Sequence, residues 1–172
     1  MFEHATLSGS EKYPSAALWF NLVYQCYNTY MNASTGQRLT YYPVASLSEA
    51  QLLKLADFYT DCCLNPMVLK DESIYRTEAW RYRLADADDA LTIEGTVYSE
   101  MLGATTLQRK AAYNAMRAAF PGSMVGNDSG GDPASIPDMT WEMLKNYHDL
   151  YYHPSNCVAY LYGQFEDYAA FL

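Results

Sequence analysis

Glu3 and His4 stand side by side in the opening stretch "MFEHATLSGSEKYP" and are the first residues whose types could do chemistry together. On a helix, side chains at i, i+3 and i+4 share one face. Two imidazoles at that spacing can hold a metal, and a glutamate beside them can take a proton from the water that the metal activates. The pair matches the back end of such a His-x-x-Glu-His helix, whose first histidine would fall just before Met1. A Glu-His pair by itself reads far more readily as a solvated terminus than as a metal site. A further metal donor would have to come from another element. Of the two other histidines, His148 in "NYHDLYY" reads as a helix-end contact and His153 in "HPSN" as a turn residue. Glu100, in "TVYSEMLGA", sits among apolar and small residues where an unpaired carboxylate would be costly to bury. An exposed helical glutamate is the alternative reading.

The elements that would position these residues follow from periodicity and punctuation. A helix is expected from about Ser15 through "SAALWFNLVYQ", after Pro14. Two β-leaning runs, "YNTYMNAST" and "QRLTYYPVAS", flank Gly36 in the pattern of a hairpin. "SLSEAQLLKLADFYTDCCLNP" is the clearest helix: Ser48 and Gln51 make a capping box, Leu52, Leu55, Tyr59 and Cys62 keep one face apolar, and Pro66 ends it. Further helices are predicted over "DESIYRTEAWRYRL", over "GTVYSEMLGATTLQRKAAYNAMRAAF" as one long element, and over "TWEMLKNYHDLYY". "CVAYLYGQF" reads as a strand, and "EDYAAFL" as the start of one more helix. Helices interspersed with antiparallel-type strands give an α+β fold, a largely antiparallel sheet packed with helices, in one domain.

Composition narrows the function classes. The formal charge is −9, from 20 acidic and 11 basic residues, which argues against nucleic acid or an anionic membrane as partner. No stretch approaches the roughly 18 uninterrupted apolar residues of a membrane span. Four cysteines (Cys26, Cys62, Cys63 and Cys157) show no C-x-x-C spacing, so buried free thiols in a cytoplasmic or other reducing compartment are expected. The 17 tyrosines suit both core margins and a lined cleft.

Taken together the motifs resemble the insulinase-like (pitrilysin) inverted zincins, in their presequence-protease branch. "FEHATLSGSEKYP" is similar to that branch's His-x-x-Glu-His-x-x-Leu-x-Gly-Ser-x-Lys-Tyr-Pro, and "YMNASTGQRLTYYPVAS" to its Met-Asn-Ala-x-Thr and Thr-x-Tyr-Pro strands. "TEAWRY" resembles its Glu-Gly-Trp-Arg element, "VYSEMLGA" its Asn-Glu-Met-Lys-Gly helix, and "SGGDP…YHPSN" its run of the same residues. These matches are collinear and cover nearly all 172 residues.

The resemblance implies a zinc-dependent endopeptidase, with His4 and Glu100 as metal ligands and Glu3 as general base. It implies that Asn32 and Ala33 lie on the edge strand that pairs with a peptide substrate, and that Glu78 stands behind the metal ligands. Residues 1–172 are then expected to be a partial N-terminal catalytic-type domain. Its first zinc histidine and preceding strands are expected outside these residues, and its partner is expected to be the closing C-terminal half of the full-length peptidase or a neighbouring copy. Alone, the chain is expected to hold zinc weakly or not at all and to be inactive. Arg38-Leu39 and Leu102 depart from the branch's pattern. A non-catalytic homologue that binds peptides or a partner chain is the competing expectation.

Overall fold

A computed structural model describes residues 1–25 and 28–171. The order is α1 (Phe2–Thr6), α2 (Leu18–Gln25), β1 (Asn28–Met31), β2 (Ser34–Thr35), β3 (Thr40–Tyr41), β4 (Val44–Ser46), α3 (Glu49–Leu64), α4 (Glu72–Glu78), β5 (Arg81–Arg83), β6 (Thr92–Glu94), α5 (Thr96–Ala104), α6 (Leu107–Ala119) and α7 (Trp141–Tyr151), with short 3-10 turns between. The fold is α+β, and its strands pair antiparallel: β1 with β4, β2 with β3, and β5 with β6.

The first two pairs are one interrupted hairpin, closed where the Gly36 N–H donates to the Leu39 carbonyl. The expected continuous strand through "YMNAST" is broken at Asn32 and Ala33. The Asn32 N–H still reaches across the hairpin to the Pro43 carbonyl, but the groups that follow are satisfied off the ladder. The Ala33 N–H donates to the Asn32 side chain at 2.9 Å, and the Asn32 carbonyl accepts from the Tyr59 hydroxyl at 2.8 Å. A backbone satisfied this way has less reason to run straight on.

The helix at 49–64 begins at Ser48 as expected, with the Ser48 hydroxyl accepting from the Gln51 N–H. The reciprocal half of the capping box is replaced, since the Ser48 N–H goes to the Ser46 hydroxyl. Leu55, Phe58, Tyr59 and Cys62 turn inward and bury with Met31. The expected helix at 71–84 is shorter. It stops at Glu78, and residues 81–83 become β5, clamped by Arg81 and Arg83 on Glu94. The long helix expected at 95–120 is two helices. Thr106 leaves helical geometry, and its hydroxyl accepts the Arg109 N–H, which starts α6 afresh.

A second cluster joins Phe2, Ala5, Val68, Tyr75, Ala79 and Leu144, tying α1 to α4 and α7. Its aromatic edges are pinned by hydrogen bonds: Tyr75 and Trp80 donate to the Met139 carbonyl, and Trp141 to that of Val68. Val97, Met101 and Ile136 form a third cluster under α5.

Residues 157–165, expected as a strand, make no ladder among the described residues. Val158, Tyr160 and Tyr162 are largely exposed. Residues 168–171 form a 3-10 turn in place of an α-helix. Cys62 and Cys63 have their thiols pushed up to about 12 by burial, which makes them poor nucleophiles. Cys157 is exposed, against the expectation of buried thiols, and Cys26 lies outside the described residues. No described helix is long and apolar enough to cross a membrane.

Candidate metal and peptidase site

The short helix α1 has two faces. Phe2 and Ala5 point into the core, with the Phe2 ring 4.2 Å from Tyr152, 5.5 Å from His148 and 6.0 Å from Tyr147, centroid to centroid. Glu3 and His4 face the other way, into a cleft of about 280 Å³. Thr6, fully buried, fixes the helix from within: its hydroxyl donates to the Glu3 carbonyl and meets the Tyr42 hydroxyl at 3.3 Å. Tyr42 in turn touches the Tyr152 hydroxyl at 3.1 Å, so α1, the hairpin and α7 share one polar seam. Burial pushes the Tyr42 hydroxyl far up, so it remains a neutral partner in that seam.

His4 lies between two carboxylates. Its Nε2 is 3.4 Å from Glu100 and its Nδ1 is 3.7 Å from Glu78. Glu100 projects from α5 and is more than half exposed, while Glu78, at the end of α4, is mostly covered. Burial alone would raise the Glu78 carboxyl. The opposing pull of His4, with hydrogen bonds from Thr96 and Ser8, holds it below its ordinary value.

A close backbone approach sets the angle between α4 and α5. Gly95, which precedes α5, sits against the carbonyl of Ala79, where a Cβ would come within 2.2 Å of the oxygen. That contact brings the end of α4, which bears Glu78, against the start of α5, which carries Glu100 at its middle.

The structure thus brings Glu3, His4, Glu78 and Glu100 into one region, and Ala33 lines the same cleft. Asn32 is exposed at the break in the hairpin, with its N–H donated to the Pro43 carbonyl. His148 is buried, with Nε2 at 3.1 Å from the Cys63 carbonyl, and His153 caps a turn through the Ser155 N–H. Neither lines the cleft.

Three contributors escaped the sequence reading. Thr35 on β2 donates to the Glu3 carboxylate. Arg109 grips Asp128 through two hydrogen bonds, 2.6 and 2.7 Å, and Asp128 accepts the Gly130 N–H, so the loop at 128–130 is held against the cleft. The Arg109 hydrogen bonds hold the Asp128 carboxyl below its ordinary value. No periodicity marks such pairs. A short polar residue in a strand and an arginine on an exposed helix are both ordinary surface choices.

As a metal site the arrangement is partial. Among the described residues no group of three or more His, Cys, Asp and Glu side chains is set to hold an ion. Two donors on one tetrahedral zinc, each at about 2.0–2.1 Å, stand roughly 3.3 Å apart. His4 Nε2 and Glu100 Oε2, at 3.4 Å, fit that spacing. Glu78 on the opposite ring nitrogen has the place of a carboxylate that orients a ligating histidine.

Comparison with known proteins gives these residues a context. Protein HypA of Clostridium perfringens is 37% identical over 164 residues, which is 95% of this chain and 17% of that protein. Presequence protease 1, chloroplastic/mitochondrial, of Arabidopsis thaliana is 36% identical over 164 residues, 15% of its length. The mitochondrial presequence protease of Schizosaccharomyces pombe is 36% identical over 169 residues, 17% of its length. No family model matches the chain. The resemblance to the presequence-protease branch of the insulinase-like peptidases thus holds over nearly the whole chain. It spans about one sixth of the length of these relatives.

Proposed function

We propose that this chain supplies part of the active site of a zinc-dependent endopeptidase. The observation that carries the reading is the meeting of His4 and Glu100, from separate helices, at 3.4 Å beside Glu3 in an open cleft. His4 and Glu100 would hold the metal, and Glu78 would fix the imbidazole ring orientation from behind. When bound, zinc supplies Lewis acidity, polarising a peptide carbonyl and making water easier to deprotonate. Glu3, which lines the same cleft as His4, would accept that proton. A peptide would lie along the cleft wall formed by Ala33, Ser34 and Thr35, with backbone pairing giving affinity. Because the Ala33 N–H is already taken by Asn32, pairing there would use neighbouring groups or require Asn32 to let go.

Two donors are too few for tight zinc, and catalytic zinc sites use three protein ligands with one open position. The third ligand, and groups that close over substrate, would come from outside the described residues, so the chain would be weak in zinc binding and inactive by itself. Native mass spectrometry of the chain and of His4→Ala and Glu100→Gln forms tests the metal site. Zinc retention should fall in both variants, and retention that ignores both would remove the assignment. Combining the chain with the remainder of a full-length peptidase should yield peptide cleavage. Peptide binding without cleavage in a zinc-loaded assembly would favour the non-catalytic alternative.

A further inference from the structure

We infer that Thr35 is a positioning residue that fixes the direction of the Glu3 carboxylate; this rests on Glu3 being the base of the peptidase site proposed above. The Thr35 hydroxyl donates to Glu3 Oε2 and also lies 3.2 Å from the Thr40 hydroxyl. Thr35 and Thr40 face each other across the β2–β3 pair, so both hydroxyls lie on one side of the hairpin.

Proton polarity in this chain is determined. An ionised carboxylate only accepts, and a hydroxyl has one proton to give. With its proton on Glu3, Thr35 can only accept from Thr40. The order is Thr40 to Thr35 to Glu3, ending in a charge-assisted bond of the stronger kind. The two partners also differ in stiffness. Threonine is confined to few χ1 states, whereas glutamate has three side-chain torsions to order. A stiff donor on a paired strand therefore restrains a flexible acceptor on a five-residue helix.

The restraint is one-sided. Glu3 Oε1 accepts no hydrogen bond from the described residues. One carboxylate oxygen is held by the hairpin, and the other stays available to receive a proton in the cleft. The same hairpin arm forms the cleft wall through Ala33, Ser34 and Thr35. Contact with a peptide along that wall would thus bear directly on the aim of the base.

The test compares Thr35→Val, which keeps shape and strand preference but loses the hydroxyl, with Thr35→Ser, which keeps the hydroxyl. On the 172-residue chain, 13C NMR of labelled glutamate should show the Glu3 side-chain resonances displaced in T35V and restored in T35S. The amide spectrum of the helices bearing Glu78 and Glu100 should stay in place. In the zinc-loaded assembly with the remainder of the peptidase, T35V should lower kcat roughly tenfold or more with KM within about twofold, and T35S should recover most of it. Glu3 resonances in T35V that superimpose on the wild type would overturn the inference. So would a T35V kcat equal to wild type in an assembly that cleaves. If no assembly cleaves peptide, the peptidase reading fails separately, and the Glu3 resonances alone decide whether Thr35 holds the carboxylate.

Discussion

Helices α5 and α6 are neighbours in sequence, yet they are held in opposite ways. In α5, Val97 and Met101 are buried, and Glu100 emerges on the other side. In α6 no residue is buried; Leu107 stands 82% exposed, and the helix is attached through polar clamps. Arg109 grips Asp128, and Arg117 donates to the Gly126 carbonyl at 2.9 Å. The helix that carries a metal-ligand candidate is fixed by packing, which has one solution. The helix that merely borders the cleft is fixed by side-chain bonds, which yield more gradually.

That contrast can be broken in graded steps. Met101→Ala should cost most, about 3 kcal/mol in a urea melt, because it leaves a void beneath Glu100 that neighbours fill only partly. Zinc retention should fall with it, and unchanged retention would mean that α5 is not what aims Glu100. Gly95→Ala comes next. Its Cβ meets backbone, which cannot swing aside, so about 2 kcal/mol of destabilisation is expected, with the chemical shifts of Glu78 and Glu100 displaced together.

Asp128→Asn should be milder, about 1 kcal/mol, since it weakens a partly exposed ion pair. Here pH gives an independent check. The folded Asp128 carboxyl lies below its ordinary 3.8, so its stabilisation is present above that value and is lost as pH falls through the folded pKa. The gap between wild type and D128N should therefore be constant near neutrality and close only in strong acid. Faster amide exchange at Gly130 should accompany the variant, because its N–H donates to Asp128. Leu107→Ala should move stability by no more than about 0.5 kcal/mol. A larger loss in a thermal melt would show that the exposed face of α6 is covered in solution.

Where sequence and structure agree, the cause is local. Ser48 caps its helix, and Thr140 does the same for α7 by accepting the Met143 N–H. The departures arise where a local signal met a longer-range alternative. Helical periodicity ran unbroken through 105 and 106, but the Thr106 cap could win because α6 has no core face to align with α5. The alternation in "YMNAST" promised one strand, yet Tyr59, 27 residues away, claimed the Asn32 carbonyl. Residues 157–162 are β-formers by type, but a strand is a property of a pair, and no partner lies beside them among the described residues. The Gly95–Ala79 approach was invisible because a glycine before a helix looks like an ordinary cap.

The five-residue helix α1 has a consequence for the timing of assembly. An isolated helix needs roughly 12–15 residues to be even marginal in water, so α1 cannot form on local propensity. Its anchor is Phe2, whose ring contacts are with residues 147, 148 and 152. During synthesis, Glu3 and His4 precede every partner of their helix: Val68, Tyr75 and Ala79 come first, and the residues that ring Phe2 only after them. Contacts so far apart in sequence form slowly. The residues of the candidate site would therefore be set in place well after they are made, once most of the elements that pack around them exist.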